Sequence, residues 1–269
     1  LLDMPEREQG AEELSGENLD ITFEQVSFSY EKERPILKDV SFHISKGQFV
    51  SLVGESGCGK STVASLILGR NRQYQGRILL GGTDLKKIKE KSLMEHVTLV
   101  RHNSYLFKGT VEENLLMGNP NATQEEMTEA LKKVNLWEFL KGQEGLSTKL
   151  AEKGSNFSGG QCQRLCIARA LLHDTEIYIF DEAASNIDME SEEIIMDVIR
   201  QLAETKTVLL ISHRLANVKK SHCIYVLKEG KIVEKGTHKE LLEQQGAYKE
   251  MYMTQKNLEN YGLEQEASA

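Results

Sequence analysis

The sequence has no apolar run approaching the roughly 20 residues that a membrane-spanning helix needs, and no secretory leader pattern at its start. It also has no C-x-x-C pair. Its four cysteines, Cys58, Cys162, Cys166 and Cys223, include two spaced like neighbours on a helix. They read as free thiols of a reducing compartment rather than as a disulfide or metal framework. Excess positive charge is missing too: 33 Lys and Arg against 41 Asp and Glu give a net charge of -8. That balance argues against a nucleic-acid-binding face as the main business. No internal repeat is present. A chain of 269 residues is long for one simple domain and suits an enzyme domain with a subdomain.

What is present centres on Gly54-Glu55-Ser56-Gly57-Cys58-Gly59-Lys60-Ser61-Thr62, which reads G-x-x-x-x-G-K-S. The apolar run Phe49 to Val53 before it suits a buried strand, and Val63, Leu66, Ile67 and Leu68 after it mark the inner side of a helix. In that setting the glycines let successive N–H groups turn toward phosphate oxygens, and the helix N-terminus adds positive dipole. Lys60 is placed to bridge the β- and γ-phosphates and the Ser61 hydroxyl to ligate Mg²⁺. The bland alternative is a chance glycine turn.

Period-two alternation over Ile21 to Tyr30, with a slip between Phe23 and Val26, predicts an edge strand carrying a bulge. Strands are also expected over Ile36 to Ile44 and Gly76 to Leu80, the latter ending in a Gly81-Gly82 turn. From Asn103 to about Leu172 the texture is helical. Thr123-Gln124-Glu125-Glu126 is a capping box there, and the only tryptophan, Trp137, is expected to pack in the core. Ile177 to Phe180 is a buried-strand pattern running into Asp181-Glu182. A helix bearing Ile194, Ile195, Val198, Ile199 and Leu202 follows, then an apolar strand, Val208 to Ile211, that ends at Ser212-His213. Glu229-Gly230 marks a hairpin, and Thr237 to Glu240 a second capping box.

Asn156-Phe157-Ser158-Gly159-Gly160-Gln161, followed by Cys162-Gln163-Arg164 and Ile167-Ala168-Arg169-Ala170-Leu171, places a serine and two glycines at a helix start. That is a second anion-favouring helix tip, or else an ordinary cap. The segment resembles the signature of ABC-type ATPases, with Phe157 where that family usually has leucine. The resemblance covers about Ile21 to Tyr252. It implies an α/β fold: a P-loop NTPase core, a mostly parallel sheet flanked by helices, with an N-terminal antiparallel β subdomain and a helical subdomain, about 103–172, carrying the signature.

The resemblance also implies roles. Asp181 would steady Mg²⁺ through water, and Glu182 would act as general base or water-positioner, though an acidic pair after a strand is also ordinary turn chemistry. His213 matches the switch histidine that contacts the γ-phosphate. Tyr30 matches the aromatic that stacks on adenine, or is an exposed strand tyrosine. Ser158, Gly159, Gly160 and Gln161 would complete the nucleotide pocket of a partner subunit, which Asp188, in a segment like the family's D-loop, would touch. His102 departs from the family, which places a glutamine there; imidazole is a poor ligand for hard Mg²⁺, so weaker metal binding or slower hydrolysis is expected, unless water substitutes.

Residues 1–20 are acidic, begin Leu1-Leu2-Asp3 without methionine, and read as a linker from a missing N-terminal membrane domain. Residues 21–255 read as the ATPase domain and 256–269 as a polar, frayed tail. The implied function is an ATP- and Mg²⁺-dependent motor that pairs head-to-tail with a second such domain at the cytoplasmic face of a membrane to drive export of an unknown substrate. A weakly hydrolysing half of a heterodimer and a soluble, non-transport ABC ATPase are the alternatives.

Overall fold

The computed structural model describes residues 10–15, 19–31 and 34–266, with backbone alone for 259–266. It divides into two compact units, one made of residues up to Met94 together with those from Leu209, the other of Glu95–Val208.

The first unit opens with β1 (Ile21–Ser29) and β2 (Pro35–Ile44), then β3 (Phe49–Val53), α1 (Lys60–Ile67), β4 (Gln75–Leu80), β5 (Thr83–Asp84) and the start of α2 (Glu90–His96). An antiparallel sheet takes the order β2-β1-β4-β5. The bulge in β1 is present between Phe23 and Val26, with Gln25 at φ 51°. β1 is not an edge strand, however; β2 and β4 flank it. Its alternating buried and half-exposed residues record a sheet with one solvated face, which a central antiparallel strand shows as readily as an edge one.

The second unit holds β6 (Val97–Arg101), β7 (Gly109–Thr110), α3 (Val111–Leu116), α4 (Gln124–Lys133), α5 (Trp137–Lys141), β8 (Lys149–Leu150), α6 (Gly159–His173), β9 (Ile177–Asp181) and α7 (Met189–Leu202). β6 and β9 pair in parallel, with Arg101 opposite Asp181. Every residue of β9 is buried, as a strand covered on both faces requires. The Thr123–Glu126 capping box opens α4 as its spacing predicts. Trp137 is half-buried at the start of α5 rather than in the core; Leu136 and Leu140 take the fully buried places beside it.

The chain returns to the first unit within β10 (Thr207–Ile211) and continues through β11 (Cys223–Lys228), β12 (Lys231–Gly236), α8 (His238–Glu243) and α9 (Ala247–Glu266). β3 lies between β10 and β11, parallel to β11. The β11–β12 hairpin turns at Glu229 and Gly230, both at positive φ. α9 carries the chain to Glu266, through the segment that composition marks as a polar tail.

Two segments differ from a bare linker. Glu12 forms a parallel bridge with Ile88, and the Leu14 N–H donates to Ser92 Oγ at 2.9 Å. Leu14 and Leu19 are both buried. The acidic composition of residues 1–20 hides these two apolar anchors; residues 1–9 and 16–18 of that stretch lie outside the described residues.

Candidate functional site

In the first unit the phosphate loop bridges β3 and α1. Gly59 caps α1 from the left-handed region, φ 113°, and α1 has no side-chain cap. The Lys60 side chain curls back into the loop, only 4% exposed, where Nζ donates to the carbonyls of Gly54 (2.9 Å) and Glu55 (2.8 Å). An ammonium at the centre of a glycine loop, beside an uncapped helix start, is an anion cradle. Cys58 is buried in the same loop, and burial pushes its thiol pKa up despite the Lys60 charge nearby, so it stays protonated. Tyr30 is 60% exposed, edge-on to Phe28, with its hydroxyl 3.5 Å from Thr62 Oγ1. The ring face is thus available beside the phosphate loop. Gly54, Glu55 and His213 line one cavity of about 360 Å³.

Gly54 tolerates no side chain. A Cβ there would stand 2.1 Å from the Leu227 carbonyl oxygen, which is backbone and cannot swing away. We expect Gly54→Ala to cost about 1–3 kcal/mol of stability through overpacking and to lose ATP binding. Thermal melting with and without ATP reads both; an unchanged Tm with an intact ATP shift contradicts this.

In the second unit Asp181 ends β9, 5% exposed, with Oδ2 3.7 Å from Arg101 Nε. Glu182 follows at φ 55°, a left-handed backbone that a non-glycine residue adopts at a cost. Its carbonyl accepts from the Ser185 N–H and Oγ. His102 is exposed in the turn after β6, and Arg101, just before it, gives its carbonyl to Gln163 Nε2 of α6 at 3.0 Å. Ser158 caps α6: its Oγ accepts from the Gln161 N–H while Gln161 Oε1 accepts from the Ser158 N–H. This capping box is the ordinary cap allowed for above, and it leaves Ser158 and Gly159 exposed at the helix tip. Asp188 caps α7 through the Ser191 N–H at 2.8 Å, and that hydrogen bond holds its carboxyl below the usual carboxylate range.

Each unit therefore gathers its own part of the expected set: Tyr30, the phosphate loop and His213 in one, His102, the Ser158 tip, Asp181, Glu182 and Asp188 in the other. The sequence does not mark Arg101 as Asp181's partner; the parallel register that sets them opposite is the missing signal. Among the described residues no three His, Cys, Asp or Glu side chains cluster to hold a metal ion. Mg²⁺ that arrives with a nucleotide draws most of its ligands from phosphate and water, so it asks few of the protein.

The phosphate loop on this strand–helix frame defines a P-loop nucleotide-binding protein. The family described as ABC transporter matches residues 37–185. An uncharacterised ABC transporter ATP-binding protein of Haemophilus influenzae is 48% identical over 96% of this chain and 47% of its own length. A Staphylococcus aureus protein provisionally named a multidrug export ATP-binding/permease protein is 43% identical over 87% of this chain and 41% of its own. The structure of a bacterial Atm1-family ABC exporter with ATP bound superposes at TM-score 0.87 and 34% identity, over 95% of this chain and 44% of that one. The chain belongs to the ABC transporter family, as its ATP-binding ATPase domain. It spans about half the length of the curated relatives it matches.

Proposed function

We propose that this chain is the motor of an exporter, working as one of two ATPase domains that close head-to-tail on ATP and Mg²⁺. The observation that carries the reading is the pairing of a Lys60-centred anion cradle with an exposed, uncharged helix tip at Ser158-Gly159 on the same chain. One grips the nucleotide's phosphates; the other is offered to the nucleotide of a second copy or a close relative.

In this account Tyr30 stacks on adenine and residues 54–62 wrap the phosphates. Ser61 would ligate the metal and Asp181 would steady it through water, and the ion would draw charge off the phosphate oxygens. Glu182 orients and deprotonates the attacking water, and His213 contacts the γ-phosphate. Gly160 and Gln161 support the Ser158 tip, and Asp188 faces the partner. Residues 21–255 form the motor, 1–20 connect it to a membrane domain of the same polypeptide, and 256–269 lie beyond it. No helix among the described residues is long and apolar enough to cross a membrane; the permease part of the relatives' names supports membrane helices elsewhere in the polypeptide, with this domain on the cytoplasmic face.

Replacing Ser158 with arginine tests the reading. Steady-state hydrolysis is expected to fall at least about tenfold, the cost of one lost phosphate contact, while a fluorescent ATP analogue still binds. Hydrolysis at the parent rate contradicts the head-to-tail arrangement.

A second reading, a slow half of a heterodimer, is favoured by His102 and by the Arg101 guanidinium beside Asp181. Under it His102→Gln lowers the Mg²⁺ concentration for half-maximal turnover and raises the rate. No change in either removes the idea.

A further inference from the structure

The loop that carries His213 is held from the far end of the chain. Gln255, on α9, donates from Nε2 to the His213 carbonyl and accepts at Oε1 from the Leu215 N–H at 2.9 Å. One amide thus bridges the carbonyl and the N–H that flank Arg214, as a neighbouring strand would. From within the loop, Ser212 Oγ accepts from the Arg214 N–H (3.0 Å) and donates to its carbonyl (3.1 Å).

The clamp stands on fixed ground. Glu234 of β12 accepts from the N–H groups of both Ala247 and Tyr248 at the start of α9. Tyr248 is fully buried, with its hydroxyl 2.7 Å from His238 Nδ1. Gln255 lies seven residues on, two turns along the same helix face. Beside it the helix is not packed shut: Gln255, His213, Gly54 and Glu55 line the cavity of about 360 Å³. The loop has space to move into, so its position depends on being held.

We infer that Gln255 is a positioning residue for His213. It fixes the peptide plane after the histidine and with it the direction of the imidazole, and α9 becomes part of the hydrolytic machinery. The inference rests on the proposed switch role of His213. It extends that role to a helix beyond the segment matched by the family.

The test is a double-mutant cycle in the full chain, reading kcat, KM for ATP and Tm for Gln255→Leu, Gln255→Glu, His213→Ala and Gln255→Leu/His213→Ala. Leucine keeps the bulk and loses both bonds; glutamate keeps the acceptor for Leu215 and turns a carboxylate oxygen on the His213 carbonyl. Both single Gln255 variants are expected to lower kcat about tenfold, the worth of one to two hydrogen bonds, with KM held and Tm little changed. Adding Gln255→Leu to His213→Ala is expected to cost nothing more. Parent kcat in both Gln255 variants, or an equal further loss on top of His213→Ala, overturns the clamp. A His213→Ala chain that hydrolyses at the parent rate overturns the switch role itself, and the clamp with it.

Discussion

A Glu182→Gln chain is expected to bind ATP as the parent does and to hydrolyse it about 10²–10⁴-fold more slowly, the usual worth of a general base. The amide has the carboxylate's shape, so packing is untouched; only the proton acceptor is lost. The backbone supports assigning Glu182 this role. It is strained at φ 55°, and Ser185 holds that strain by donating twice to the Glu182 carbonyl. Single-turnover hydrolysis with radiolabelled ATP, beside equilibrium binding, measures the two halves of the expectation. A Glu182→Gln rate within threefold of the parent removes Glu182 as the base.

The second large effect concerns Gly160, whose lack of a side chain lets α6 pack against α7. A Cβ on Gly160 would stand 2.1 Å from Ser191 Oγ, 2.7 Å from Ser191 Cβ and 2.8 Å from Asp188 Oδ2. Those atoms are the cap and first turn of α7. Gly160→Ala therefore pushes the tip of α6 away from the start of α7, and with it the Ser158 tip from Asp188. We expect a loss of about 1–3 kcal/mol, about 2–4 °C of Tm per kcal/mol, together with near-complete loss of ATPase activity. Ser191→Gly clears the two nearest atoms and leaves the flexible end of Asp188 to move. The pair Gly160→Ala/Ser191→Gly is expected to regain more Tm than Ser191→Gly loses alone. A double variant no more stable than the sum of the singles contradicts the contact.

Much of this was legible because it rests on local rules. The phosphate loop, the fully buried strands before it and before the acidic pair, and the Thr-x-x-Glu caps each follow from a few adjacent residues. What stayed hidden depends on partners far apart in the chain. Alternation in β1 reports a solvated face and says nothing of how many strands flank it, so its central place has no local signal. Arg101 and Asp181 meet through a parallel register across 80 positions. The Gly160–Ser191 contact is a matter of helix approach, and Gln255 reaches the His213 loop across 42 positions. No periodicity or motif encodes any of these. The buried Leu14 and Leu19 within an acidic stretch show the same limit: composition averages over the two residues that matter.

The central claim is that one catalytic unit is assembled from two chains. The measurement that tests it most directly is ATP turnover per chain over a wide range of protein concentration, with ATP and Mg²⁺ saturating. The account predicts a specific activity that rises in proportion to concentration when the protein is dilute and levels off once dimers predominate. A specific activity that stays constant down to the lowest concentration, for a chain shown to be monomeric there, would contradict it.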